Sequence, residues 1–238
     1  MNNVIGIIPA RGGSTRIPRK NLKEMCGKPL IAWSIEAAKK SASISRVIVS
    51  TDDPEIAEVA RRYGAEVPFM RPDDLAGDKV GMEPVLIHAI EWLKKNEGYT
   101  THAILLLQST NPLKRPEDLD RAVQILQDTG ADSVVSVGKA LGNNNPSWVI
   151  KRNESGQVVL STGESLKDMI VRSQDLPVCY SRNDIVYALL PKNLYETTSN
   201  LYGDKVELLV MDEIFYTDIN SPEDWEVTAD KLKRLHNS

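Results

Sequence analysis

Cysteine is scarce. The 238 residues hold two, Cys26 and Cys179, far apart and at no metal-binding or redox spacing. A disulfide between them is one reading; the reading preferred is two unpaired core thiols in a reducing compartment. The three histidines, His88, His102 and His236, also form no metal spacing, so no His/Cys metal centre is expected. No apolar run approaches the 18 or so residues needed to span a bilayer, which excludes a membrane helix. The start, Met-Asn-Asn and then a short apolar stretch, lacks the basic segment and long apolar core of a signal peptide. A cytoplasmic protein is expected. Internal repeats, linkers and low-complexity tracts are missing as well. With 41% hydrophobic and 26% charged residues the composition is that of an ordinary globular chain. A net charge of −4 gives no broad basic face, so nucleic acid is not an expected partner.

One absence is local. The first 23 residues contain five of the 29 Lys and Arg and none of the 33 Asp and Glu. Within them, an apolar stretch at 4–8 runs into the loop 9–21, Pro-Ala-Arg-Gly-Gly-Ser-Thr-Arg-Ile-Pro-Arg-Lys-Asn. Ala10, Gly12, Gly13 and Ser14 lie there among Arg11, Arg16, Arg19 and Lys20. Backbone amides of a glycine turn, set among cations at the carboxyl end of a first strand, suit a phosphate group. The loop is not a P-loop, which needs Gly-Lys-Ser/Thr after four spacer residues. It also lacks Gly-x-Gly-x-x-Gly, and Asp52 lies about twice as far on as the ~20 residues of the dinucleotide fingerprint.

Hydrophobic periodicity organises the rest. Helices are expected from Lys28-Pro29-Leu30 onward, at 54–63 before Gly64, at 83–95 and at 116–129. Strands are expected at 47–49, 65–70, 103–107, 133–137, 185–190 and 206–210. The run 103–107 barely alternates, which places it centrally with both faces covered. Alternation of strands and helices predicts an α/β fold: three layers, a mostly parallel central sheet of nucleotidyltransferase (Rossmann-like) type, with a small β insertion. The organisation expected is a single domain over 1–238 interrupted by an inserted β-hairpin at 139–176, turning near 153–156 and suited to dimer contact. Ser221, Pro222 and Asp224 open a last helix. Ligands of such sheets sit beyond the carboxyl ends of strands, which singles out the loops 9–21, 71–82 and 108–114.

The motifs Ile-Ile-Pro-Ala-Arg-Gly-Gly-Ser at 7–14, Ile-Pro-Arg-Lys-Asn-Leu at 17–22 and Gly-Lys-Pro-Leu at 27–30 closely resemble the amino-terminal signature of the CMP-sialic acid synthetases, the acylneuraminate cytidylyltransferases. Further matches follow in the family's order: Val-Ser-Thr-Asp at 49–52, Arg71-Pro with Leu75-Ala, Leu-Gln-Ser-Thr-Asn-Pro-Leu at 107–113, Asp-Ser-Val-Val-Ser at 132–136, and Asp218-Ile-Asn with Pro-Glu-Asp-Trp at 222–225. The likeness covers nearly the whole chain and is weakest at 139–205.

This resemblance implies transfer of CMP from CTP to the anomeric hydroxyl of a 2-keto-3-deoxy (nonulosonic-type) sugar acid, with release of pyrophosphate and with Mg²⁺ as cofactor. It implies that Arg11, Ser14 and Lys20 hold the triphosphate with the loop amides, that Asn21 meets cytosine, and that Arg71 lies in the nucleotide pocket. Gln108, Arg172, Asn183 and Tyr187 are implied for the acceptor, and Asp218 with Asn220 for the metal. Arg11, Lys20 and Asp218 would then carry the chemistry, and a homodimer is implied. The chain departs from the family pattern in places. Thr15-Arg16 follows Gly-Gly-Ser where the family has lysine, as in the related Kdo cytidylyltransferases, and Arg16 is expected to supply the missing charge. Asn220 replaces an aspartate, and Asp184-Ile185 replace two small residues. Lys79, Gly81 and Met82 stand where the family offers hydroxyls. Because these changes cluster on the acceptor side, a Kdo-like sugar, a phosphonate acceptor or a catalytically inactive CTP-binding regulator are alternatives.

Overall fold

A computed structural model describes residues 2–14, 16–140, 142–215 and 217–236; Thr15 lies outside them. The elements in chain order are β1 (Val4–Pro9), β2 (Glu24–Met25), β3 (Lys28–Pro29), α1 (Leu30–Lys40), β4 (Arg46–Ser50), α2 (Pro54–Arg62), α3 (Met82–Glu97), β5 (Ala103–Leu106), α4 (Pro116–Thr129), β6 (Ser133–Lys139), β7 (Ile150–Arg152), β8 (Val158–Leu160), β9 (Tyr180–Leu189), β10 (Val206–Val210) and α5 (Pro222–His236). Six strands form one sheet in the order β10-β6-β9-β5-β1-β4. All run parallel except β9, which is antiparallel to both β5 and β6. The expected mostly parallel α/β sheet is therefore present.

Side chains of β1 go to both faces. Val4 and Ile8 pack with Ile31 and Ile35 of α1, Ile56 of α2 and Leu119 of α4. Ile5 and Ile7 pack with Leu86, Ala89 and Leu93 of α3. Burial on both sides explains why 103–107 shows no polar alternation: each of its five residues is fully buried. A third apolar group, with Ile17, Leu30, Leu113, Ile219 and Trp225, lies under the loops at the sheet's carboxyl end. It anchors the 9–21 loop from behind through Ile17.

Three expectations need correction. The stretch 65–70 is not a full strand: it meets β4 at a single bridge, Ile48 to Glu66, and Pro68 then removes the donor needed to continue. Residues 206–210 do not form core; β10 is a sheet edge, with Val206, Leu208 and Val210 exposed and Leu209 alone buried. The cysteines are free, but Cys26 is exposed and Cys179 half-buried, so neither is a core thiol.

The hairpin β7–β8 forms a separate two-stranded sheet. It turns through Asn153, whose N–H donates to Gln157 O at 2.9 Å, and Gly156 at φ 80°. At the start of α5 the cap is reciprocal: Ser221 N–H donates to Asp224 Oδ2 at 2.8 Å, and Asp224 N–H donates to Ser221 Oγ at 3.2 Å.

Candidate active site

The 9–21, 71–82 and 108–114 loops converge at the carboxyl end of the sheet around an open cleft of about 400 Å³. Among the residues singled out in the sequence, Arg11, Ser14, Arg16, Lys20, Asn21, Arg71, Gln108 and Asn220 line it. Positions separated by up to about 200 residues in the chain thus meet at one concavity.

Each cation is aimed by a specific partner. Arg11 Nη1 pairs with Asp78 across the cleft mouth. Arg16 Nη1 donates to Asn220 Oδ1 at 3.1 Å. Lys20 Nζ donates to the carbonyl of Ile219 at 2.8 Å. Burial pushes the Lys20 pKa down, opposed by the attraction of Asp218 and reinforced by Arg16 and Arg11. Arg71 is buried, and its guanidinium donates to Ser50 Oγ at 3.1 Å and to the Ser50 carbonyl. Burial lowers its pKa, while Asp52 works the other way. Four cations brought to one cleft, with Asp78 the one carboxylate lining it among the described residues, suit a polyphosphate.

Some residues stand behind the lining. Ala10 is fully buried and extends the β1–β4 ladder, its N–H donating to Ser50 O at 2.9 Å. Gly12 N–H donates to Asp52 Oδ1 at 3.0 Å. Gly12 also needs to be glycine: a Cβ there would lie 2.6 Å from Asp53 Oδ2 and 3.0 Å from Asp53 Cβ. Nothing stands within 4 Å of a Cβ at Gly13. Asn21 braces two loops, with Nδ2 donating to Arg11 O at 3.1 Å and Oδ1 accepting from Ser109 Oγ at 2.6 Å. Arg19, one of the four loop cations, turns away and pairs with Asp53 and Glu55 at the start of α2. There it complements the acidic first turn instead of the cleft.

Asp218 and Asn220 lie side by side, Asn220 Nδ2 donating to Asp218 Oδ2 at 2.6 Å. With its amide oxygen taken by Arg16, Asn220 leaves Asp218 as the anionic member of the pair. One carboxylate beside a cationic cleft fits the needs of Mg²⁺, which takes one or two carboxylates, substrate phosphates and water. No group of three or more His, Cys, Asp or Glu able to hold a metal occurs among the described residues.

Of the acceptor candidates only Gln108 lines the cleft; Arg172, Asn183 and Tyr187 are not part of its lining. Asn183 lies in a bulged part of β9 that Tyr187 borders, where the register against β6 shifts between Val135 and Val137. Asn183 is buried and accepts from Ser136 Oγ at 2.6 Å, and Ser136 Oγ in turn accepts from Val186 N–H at 2.9 Å. Tyr187 Oη donates to Asp184, and burial followed by that carboxylate raises its pKa. Asp184 takes φ 53°, a left-handed conformation usual for glycine. Arg172 is exposed and pairs with Asp175 at 2.7 Å within its own turn. His88 packs edge-on to Phe69 with ring centroids 4.7 Å apart, a packing role.

Met82, noted in the sequence for replacing a hydroxyl residue, lines the cleft too; Asp78, Ser109 and Thr110, which also line it, were not picked out as site residues. Ser109 and Thr110 lie inside the 108–113 motif, so the signal was available there. Asp78 carried none, because its pairing with Arg11 spans 67 residues. Lys114 was passed over too. It is 6% exposed, and burial pushes its pKa down to about 7 against the pull of Asp218.

A family described as Cytidylyltransferase matches residues 5–187. The chain is 36% identical over 234 residues to a CMP-N,N'-diacetyllegionaminic acid synthase of Legionella pneumophila, covering 98% of this chain and 97% of that one. It is 33% identical to a pseudaminic acid cytidylyltransferase of Campylobacter jejuni, over 98% and 97% of the two chains. An N-acylneuraminate cytidylyltransferase of Escherichia coli is 30% identical over 94% of this chain and 51% of its own length. In fold, a CMP:2-keto-3-deoxy-manno-octonic acid synthetase complexed with CTP superposes with a TM-score of 0.72 at 17% identity, over 98% of this chain and 100% of that one. With glycine loop, cationic cleft and full-length relatives in agreement, the chain belongs to the cytidylyltransferase family, among the CMP-sialic acid synthetases.

Proposed function

We propose that this protein transfers the cytidylyl group of CTP to the anomeric hydroxyl of a nonulosonic-type 2-keto-3-deoxy sugar acid. The observation that carries this reading is the meeting of Arg11, Arg16, Lys20 and Arg71 with Gln108 in one open cleft. The acceptor oxygen forms a bond to the α-phosphorus, the bond from that phosphorus to the bridging oxygen breaks, and pyrophosphate leaves with the electron pair. The hydroxyl proton passes to solvent. Charge accumulates on phosphoryl oxygens throughout, so fixed cations do most of the work.

Arg11, Lys20 and Arg16, with the Ser14 side chain and the Gly13 amide, hold the triphosphate. Pairing of Arg11 with Asp78 and of Arg16 with Asn220 keeps these side chains extended over the cleft before nucleotide arrives. Asn21 and Arg71 face the nucleoside end, and Gln108 faces the acceptor. Mg²⁺, held by Asp218 with phosphate oxygens, would neutralise charge on the triphosphate. Asn220 orients that carboxylate. Asn183 and Tyr187 shape the acceptor side through the β9 bulge.

A homodimer fits the insertion, where Val149, Ile150, Val158, Leu166 and Val171 are all exposed. Sedimentation at micromolar concentration tests this, a monomer being the contrary result. Free Cys26 and Cys179 support a reducing, cytoplasmic setting.

The functional test is pyrophosphate release from CTP with Mg²⁺ and a panel of 2-keto-3-deoxy sugar acids, including legionaminic-, pseudaminic- and neuraminic-type acids. Release with at least one is expected. No release with any of them from folded protein would defeat the proposal. CTP is also expected to raise the unfolding temperature where ATP, GTP and UTP do not.

A further inference from the structure

Lys114 sits at the end of the turn that forms one wall of the cleft, and it is buried. Its Nζ donates to two carbonyls of that turn, Gln108 O and, at 2.6 Å, Asn111 O. Among the described residues no carboxylate forms an ion pair with it. Burying an ammonium group this way is unfavourable, and a turn can be closed by uncharged donors. The position therefore calls for an explanation beyond turn formation.

The groups that Lys114 clamps supply one. Ser109 and Thr110 lie between its two acceptors and, with Gln108, line the cleft. Asn111, whose carbonyl it holds, donates from Nδ2 to Thr217 O at 2.7 Å. Thr110 O accepts from Ile219 N–H at 3.3 Å, and Ile219 O accepts from Lys20 Nζ at 2.8 Å. Ser109 Oγ holds Asn21. One buried ammonium thus fixes the turn that ties the phosphate-side loop to the 217–220 segment. We propose that Lys114 is a positioning residue for the cytidylyl transfer, acting by aiming Gln108 into the cleft and holding its neighbours in register with Lys20. The inference rests on the cleft being the transfer site.

The test is a double-mutant cycle on turnover with CTP and the best acceptor, combining Lys114→Met with Gln108→Ala. Methionine keeps the length and apolar stem but donates nothing. If Lys114 acts through Gln108, each single change lowers kcat by about 10- to 100-fold and the double is within about threefold of the worse single, since groups acting as a unit are not additive. The CTP-induced rise in unfolding temperature is expected to persist in Lys114→Met, because the arginines and Lys20 are untouched. A double variant whose loss is the product of the two single losses overturns the proposal, as does full activity in Lys114→Met. If Lys114→Met does not fold, Lys114→Gln, which retains a donor for one carbonyl, enters the same cycle with the same criteria. An inactive wild type would defeat the functional reading, whereas an active wild type with an additive cycle defeats only the role of Lys114.

Discussion

Gly12 and Gly13 are adjacent, carry the same motif and would be given the same role by sequence alone, yet the structure separates them. Adding a methyl at Gly12 drives it to 2.6 Å from Asp53 Oδ2 and 3.0 Å from Asp53 Cβ, while a methyl at Gly13 meets nothing within 4 Å. Asp53 can yield only by moving. It caps α2, accepting from Glu55 N–H at 2.9 Å and Ile56 N–H at 3.1 Å, and it pairs with Arg19. Burial works to raise its pKa, but these bonds outweigh it and the pKa is held below the usual value. Losing an N-cap costs about 0.5–2 kcal/mol. The pair with Arg19 is solvent-screened and adds little. Gly12→Ala is therefore expected to destabilise by about 2 kcal/mol, which for a chain of this size lowers Tm by roughly 4–8 °C. Gly13→Ala should lie between neutral and about 1 kcal/mol more stable, because it restricts only the unfolded chain. Calorimetry of both variants, with and without CTP, is the assay. Gly12→Ala should also lose most of the CTP-induced shift, since its amide moves with Asp52 and Asp53. Equal Tm changes in the two variants would refute the steric argument.

Arg11→Ala should lower kcat/KM by at least 100-fold while leaving Tm within a few degrees, because its pair with Asp78 is solvent-exposed; turnover near wild type removes Arg11 from the site. Asp218→Ala should raise the Mg²⁺ concentration needed for half-maximal turnover by about tenfold or more, and a wild-type metal titration would disprove its role. Asp120→Ala should destabilise by about 1–3 kcal/mol, measured by urea unfolding, because its carboxylate accepts from Ser41 Oγ, Ser43 N–H and Ala42 N–H. Burial opposes the charge on Asp120, but these bonds lower its pKa below the unfolded value. The stabilisation is thus present above the unfolded carboxylate pKa and fades as pH falls through the folded one. Equal pH dependence of wild type and Asp120→Ala in the acid limb argues against it.

Much of this protein was decided locally and is readable from the chain alone. Apolar runs with no polar alternation can be satisfied only by burial on both faces, so 4–8 and 103–107 had to be central strands. Pro116, Gly130 and the Ser221–Asp224 box bound their helices through backbone chemistry that needs no distant partner. The glycine loop with its cations was conspicuous as a candidate phosphate site for the same reason: amides and charges occur there in consecutive residues. Partnership was different, because pairing distances along the chain have no sequence period. The same composition that reads as a strand at 206–210 became an edge, since only the sheet order places β10 outermost. Four cations in one loop look equivalent until the fold turns Arg19 toward α2 and the other three toward the cleft. Lys114 reads as a surface lysine before α4 until the turn folds over it. The layers and the cationic glycine loop follow from neighbours along the chain; which charge faces which follows only from the folded molecule, because a long side chain can be aimed only by groups brought to it from elsewhere.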